Sequence, residues 1–367
     1  YVKKNSSLDK EALERGTSIY FPSDVIPMLP FELSNNICSL KPNVKRLTLT
    51  ALIDFNQKGE VIHSDFFTSV IKSCTRFTYN EVASLLKNDA TENKHSEVID
   101  ILHNMHRLSK ILRKQRFKSG SVDFYVPEPE IHMSSKGTVE KITKAQHNEA
   151  HELIEEFMLV ANQVVARHLF DKKLPFIHRI HESPDEKKIA AFQEFVAGFG
   201  LRLNSPSNVS STDLQSILKR VRGRPEERVV NTLLLRTMKK AQYSEKDPGH
   251  FCLGFKHYTH FTSPIRRYPD LVTHRLLKES LNHKLSAHEK KILAKEMKET
   301  AEHSTLKEEK AVKVEREITD LRRTQFMSDK IGKSFTGTIV NVTPFGFFVE
   351  LVEVFVEGLV HVSSLTD

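Results

Sequence analysis

The chain has 367 residues, 39% hydrophobic and 28% charged, with 55 Lys and Arg against 47 Asp and Glu for a formal charge of +8. That length and apolar content suit a soluble globular protein of two or three domains, and no apolar run approaches the roughly 18 residues a bilayer span requires. The sequence YVKKNSSLDK at the start lacks a signal peptide's apolar stretch and an initiating Met. Both ends read as cuts, since Asp367 follows directly on a strand-like run. Cys38, Cys74 and Cys252 are scattered without metal-ligand spacing, so neither a disulfide framework nor a zinc site is indicated, and a reducing, cytoplasmic setting is expected. The positive balance favours a polyanionic partner through phosphate neutralisation.

In chain order, Arg46 to Lys72 reads as a β-hairpin turning at Asn56-Gln57-Lys58-Gly59. Thr78 and Glu81 form a capping box before a helix carrying Val82, Leu85 and Leu86. Residues 96–117 are helical in pattern, a second hairpin is predicted over Val122 to Ile142 turning near Ser134 to Gly137, and a long helix over Ala145 to Asp171. Residues 286–330 carry apolar positions at helical spacing, predicting long helices with a break near Ser304-Thr305. After Ile331-Gly332 the pattern changes to strands, GTIVNVTPFGFFVEL and EGLVHVSSL, where a small β-barrel is expected to begin. The order of elements is that of an α+β fold.

The run HFTSPIRRYPD, His260 to Asp270, carries the most chemistry. Pro264 and Pro269 restrict the backbone on either side of Arg266 and Arg267, and Asp270 is placed to cap the helix LVTHRLLKESL. Guanidinium groups held this way present a planar fork of donors to phosphate oxygens and stay protonated.

This run, with GTSIYFPSDVIPMLP (Gly16 to Pro30), ELSNNICSL (Glu32 to Leu40) and AHELIEEFMLVAN (Ala150 to Asn162), resembles the ribonuclease II/R (RNB) family of hydrolytic exoribonucleases, and LDKEALERGTSIYFPS and SPIRRYPDL have the wording of its R-type members. The resemblance implies an RNB-type catalytic domain over residues 1–330, lacking its N-terminal part, followed by a partial S1 domain of OB type over residues 331–367. It implies processive 3′-to-5′ hydrolysis of RNA to nucleoside monophosphates with a divalent metal, Mg²⁺. Arg266 matches the family arginine at the scissile phosphate and Glu315 a glutamate near the same site. Tyr20 matches the aromatic that stacks on the 3′-terminal nucleotide, and Phe124 a second aromatic clamp. Tyr79 corresponds to an aromatic near the nucleotide path, Glu155 and Glu156 to groups within reach of the sugars, and Arg267 to a further phosphate contact. Stacking suits an enzyme that must accept every base in turn.

The terminal strands are similar to the opening of an S1 domain, whose usual RNA-facing positions fall on Phe345, Phe348 and His361, with Phe347 less clearly placed. The family's aspartate cluster, of the D-x5-D-x-D-D type, has no counterpart here, since the chain contains no Asp-Asp pair. Its metal ligands are expected upstream, and the chain alone is expected to be inactive, with a non-catalytic RNA-binding relative as the alternative reading. The expected partners are single-stranded RNA and RNA 3′ tails, with an RNA helicase or the ribosome as candidate protein partners and a monomeric state.

Overall fold

A computed structural model describes residues 1–87, 96–124, 128–203, 209–282, 284–352 and 354–365. Helix α1 (Ser7–Arg15) is opened by Ser6, whose hydroxyl accepts from Asp9 N, and closed by Gly16 at φ +70°. That glycine is required twice over. Its backbone is left-handed, and an added Cβ would lie 2.5 Å from Lys307 Cβ on a distant helix. Strands β1 (Ile19–Tyr20) and β2 (Val25–Ile26) then pair antiparallel.

The first predicted hairpin forms as β3 (Lys45–Phe55) and β4 (Val61–Lys72), running from Lys45↔Lys72 to Phe55↔Val61. Its turn is built by the Asn56 side-chain oxygen, which accepts from the backbone of Lys58 and Glu60. The predicted capping box is also present: Thr78 N donates to Glu81 at 2.6 Å and Glu81 N to the Thr78 hydroxyl at 3.3 Å, opening α2 (Tyr79–Lys87). Helix α3 (Ser96–Lys118) follows.

The second hairpin is shorter than predicted, with β5 (Pro129–Met133) pairing β6 (Val139–Lys144). Val122 is not part of it. Its N–H donates to Cys252 O and its side chain is buried in a helical core, so the chain is anchored elsewhere before the hairpin starts. Tyr125 to Pro127 lie outside the described residues. The long helix α4 (Glu149–Asp171) begins four residues later than predicted because Asn148 caps it, its side chain accepting from Ala150 and His151 N. Its apolar face packs Val165, Ala166 and Leu169 against Phe66, Leu49, Ala51 and Ile53 of the first hairpin. One strand face is thereby buried.

Strand β7 (His178–Ile180) precedes three helices, α5 (Glu186–Ala197), α6 (Ser211–Val221) and α7 (Glu227–Thr237), which bury Phe192, Leu214, Ile217, Val230 and Leu234 together. Strand β8 (Gln242–Ser244) returns to pair with β7. Helix α8 (Tyr268–Asn282) starts inside the arginine run. Asp270 lies within its first turn and does not serve as the cap that the sequence suggests.

Helix α9 (Ala287–Ser328) is unbroken over 42 residues, so the predicted break at Ser304-Thr305 is absent. Both residues turn toward packed structure: Ser304 is buried, and the Thr305 hydroxyl accepts from Tyr243 N and donates to Tyr243 O. The polar pair that reads as a breaker is instead a seam with β8. Strands β9 (Gly337–Thr343), β10 (Gly346–Leu351) and β11 (Glu357–His361) form the chain's last sheet, in order β11-β10-β9. The α+β fold class holds: a body of helices and two-stranded sheets is followed by a three-stranded antiparallel sheet.

Candidate functional site

The backbone around Arg266 is clamped from both sides. Arg266 and Arg267 N–H groups both donate to Ser263 O, which closes the turn, while Arg266 O accepts from Ser18 N at 2.9 Å and from the Thr17 hydroxyl at 3.0 Å. Tyr268 N donates to Gly16 O, completing an antiparallel bridge between Thr17 and Arg267. The Arg266 side chain is exposed. The arginine is therefore fixed at its root and free at its head.

The same segment runs on into β1 and Tyr20, whose N–H donates to Glu315 Oε1 at 2.7 Å and whose ring is half exposed. Glu315 reaches it from α9, which is docked on α1 by His303 Nε2 against Leu13 O at 2.8 Å and by the Lys307–Glu14 ion pair at 2.7 Å. Arg266 and Glu315 are thus both tied to the four-residue segment from Thr17 to Tyr20, across up to 295 residues of sequence.

Arg267 goes the other way. Its guanidinium is turned inward and pairs with the fully buried Asp270 at 2.8 Å, and Asp270 Oδ1 also accepts from Ser263 N at 2.7 Å. Burial opposes charge on Arg267, and Asp270 outweighs it, so its pKa is raised. The geometry gives Arg267 to holding the turn and leaves the Arg266 side chain exposed. Beneath the turn, burial and the neighbouring Arg267 hold His260 neutral, far below the usual imidazole range, and burial pushes the Tyr243 phenol up. The phenol and His260 Nδ1 are hydrogen-bonded at 2.9 Å. Arg179 lies over the Tyr243 ring and pairs with Glu308 of α9 at 2.5 Å, so α9 is joined to the arginine turn through this network as well.

The remaining predicted residues have contacts of their own. Phe124 is partly buried against the three-helix core. Tyr79 is exposed at the start of α2. Glu155 lies 3.6 Å from Arg116, and burial pushes its carboxyl up despite that guanidinium. Glu156 is buried and grips Arg116 with both oxygens, at 2.5 to 3.1 Å, so it is occupied by a structural pair. In the last sheet, Phe345 and Phe348 meet edge to face with ring centroids 6.5 Å apart, and His361 pairs with Gly346 across β10 and β11. Phe347 points to the opposite face from Phe348, as alternation along β10 dictates.

Asp270 in its holding role, Arg116 and the Tyr243–His260 pair were not found by reading motifs. Each is a long-range or inward-facing contact. Only Asp270, three residues after Arg267, had a local signal. A groove of about 750 Å³ between the first hairpin, α3 and α4 is lined by Arg116, Gln163, His168 and Lys256. It contains none of Tyr20, Arg266 or Glu315, so it does not mark this site. Among the described residues no group of three or more His, Cys, Asp or Glu side chains is arranged to hold a metal ion. Nor is any helix long and apolar enough to cross a membrane.

The RNB domain family model matches residues 1–283, and the S1 RNA binding domain model matches residues 328–367. Ribonuclease R 1 of Lactococcus lactis is 43% identical over 370 residues, covering 100% of this chain and 45% of that protein. Ribonuclease R of Escherichia coli is 39% identical over 376 residues, covering 100% of this chain and 46% of that one. The apo form of Mycoplasma genitalium RNase R superposes with a TM-score of 0.95 at 35% identity, covering 100% of this chain and 58% of that chain. The same enzyme in complex with ribose methylated single-stranded RNA gives the same values. The chain spans about half the length of the curated relatives it matches.

Proposed function

Since the chain belongs to the ribonuclease II/R (RNB) family and joins an RNB domain to an S1 domain, we propose that it works within a processive 3′-to-5′ exoribonuclease that releases nucleoside 5′-monophosphates from single-stranded RNA. The observation that carries this reading is the convergence of Arg266, Tyr20 and Glu315 on the segment from Thr17 to Tyr20. An exposed, pre-oriented guanidinium offsets charge developing on a phosphoryl group, and a half-exposed ring beside it offers a base-tolerant stacking face. Glu315 holds the Tyr20 backbone and so sets where that ring stands relative to Arg266. RNA complexes of a structurally matching ribonuclease R support RNA as the substrate class.

The family is metal-dependent, and Mg²⁺ is the ion we propose for the complete enzyme, where it would activate water and support the leaving oxygen. The described residues do not fit such a site, so no step is assigned to them through the ion. Their part is to bind, orient and neutralise. We place the boundary between the catalytic unit and the S1 unit after residue 330, in line with the end of α9 at Ser328, and Phe345, Phe348 and His361 are the proposed RNA-facing groups of the S1 strands. A cytoplasmic setting fits a chain with three free cysteines.

The test is incubation of the complete protein with end-labelled single-stranded RNA and Mg²⁺. Stepwise shortening from the 3′ end with release of monophosphates is expected, whereas RNA that is bound but left intact would favour the non-catalytic binding reading. In the same assay, Tyr20→Ala is expected to change the length of the shortest product, because the last nucleotides lose a stacking contact worth about 1 to 3 kcal/mol. An unchanged limit product would return Tyr20 to a structural role.

A further inference from the structure

Asn162 lies within α4 and is fully buried, where a polar amide costs free energy unless it is paired. Both ends of the amide are used. Its Oδ1 accepts from Phe261 N at 2.9 Å and its Nδ2 donates to Tyr258 OH at 3.0 Å. The two ends cannot be exchanged, because a backbone N–H only donates. The amide therefore admits one placement of residues 258–261 against α4. Apolar packing alone would attach this segment without fixing its register: Phe261 already shares a core with Val165, Ala166 and Leu169 of the helix, and burial of that kind is non-directional.

The segment is pinned from other sides as well. Arg179 N donates to Tyr258 O at 2.9 Å, the Thr259 hydroxyl to Ile177 O at 2.6 Å, and His274 Nε2 of α8 to Phe261 O at 2.8 Å. Only Thr262 separates Phe261 from Ser263, whose carbonyl accepts from both Arg266 N and Arg267 N and so closes the arginine turn. We propose that Asn162 is a positioning residue for Arg266: through Phe261 it sets the register of the arginine turn on α4, and so the place at which the guanidinium meets the phosphate. The inference rests on the reading of Arg266 as the phosphate-facing group and extends it to a side chain buried out of reach of RNA. A buried network satisfied at both ends of its amide holds one arrangement, whereas an apolar residue in its place would leave the turn free to settle in several.

The experiment is a double-mutant cycle in the complete protein. Asn162→Ala, Arg266→Ala and the pair are compared in steady-state degradation of end-labelled single-stranded RNA with Mg²⁺, well below the melting transition of every variant. With Arg266 present, Asn162→Ala should lower kcat roughly 10- to 100-fold, as a small misplacement of a reacting group does, and leave KM within about twofold. In the Arg266→Ala background it should cost less than about threefold more. The same loss in both backgrounds would overturn the proposal, since a general loosening of the fold does not depend on Arg266. So would an unchanged kcat, or a loss confined to KM. Tyr258→Phe deletes one arm of the bridge and keeps the ring. It should follow the same pattern at roughly 3- to 10-fold, the range for one lost hydrogen bond, and it decides the matter if Asn162→Ala does not fold. A parent protein that leaves RNA intact would bring down the exoribonuclease reading itself, an outcome distinct from these.

Discussion

Arg266→Ala in the complete protein is expected to lower turnover on single-stranded RNA by about 10² to 10³-fold, with a much smaller change in KM. The asymmetry follows from how the residue is held. The backbone of Arg266 is fixed by Ser18 and Thr17, so the root of its side chain is already in place when charge builds on the phosphoryl group. Among the described residues no carboxylate pairs with it, so the full charge is available to substrate. Arg266→Lys should recover only part of the loss, because an ammonium cannot reproduce the bidentate fork. Steady-state kinetics on a labelled oligonucleotide separate the two parameters. Equal losses in kcat and affinity would make Arg266 a simple phosphate-binding group.

The second large effect is expected at Asp270, and it is first an effect on stability. Asp270→Ala should cost about 3 to 5 kcal/mol in denaturant unfolding, the range for stranding one partner of a buried pair. Arg267 would be left as an unpaired interior charge, and Ser263 N would lose its acceptor. Against a typical total of about 5 to 15 kcal/mol, that is a large fraction. Asp270→Asn keeps an oxygen for Ser263 and should lose less. Replacing both partners, Arg267→Met with Asp270→Leu, should regain part of the loss, since Arg267 Nε and Asp270 Oδ2 already lack hydrogen-bond partners in the interior. A single Asp270→Ala variant as stable as the parent would sink the account of the turn. In all three variants turnover should fall further than stability alone dictates, because the turn also aims Arg266.

Much of the framework was legible from local signals. The first hairpin showed through its strand pattern and an Asn-x-x-Gly turn, and α2 through a capping box that the structure reproduces bond for bond. Three features were not. Val122 reads as a strand residue, yet its partner is Cys252, 130 positions away. Ser304-Thr305 reads as a helix break until Tyr243 supplies the hydrogen bonds that hold it in register. The helices α5 to α7 were passed over, although Asp185 as a cap and Ser210 with Asp213 as a capping box were there to be read. At the site, the resemblance singled out Arg266, while the motif's own chemistry left Arg267 as a second phosphate contact. Only the burial of Asp270 separates the one that faces solvent from the one that braces it.

The 42-residue helix α9 extends about 63 Å at 1.5 Å per residue. Its buried positions end at Ala311, just before Glu315, and the S1 strands begin beyond its far end. The helix is thus a lever fully buried at points along one part and only half-covered on one face along the other. Any one-residue change in length between Glu315 and Ser328 would swing the strands by about 100° around the axis, while seven residues would nearly restore the azimuth at a reach shifted by about 10 Å. Reach and facing are coupled in steps, and the Arg228–Glu350 ion pair between α7 and β10 would survive only at a setting close to the present one.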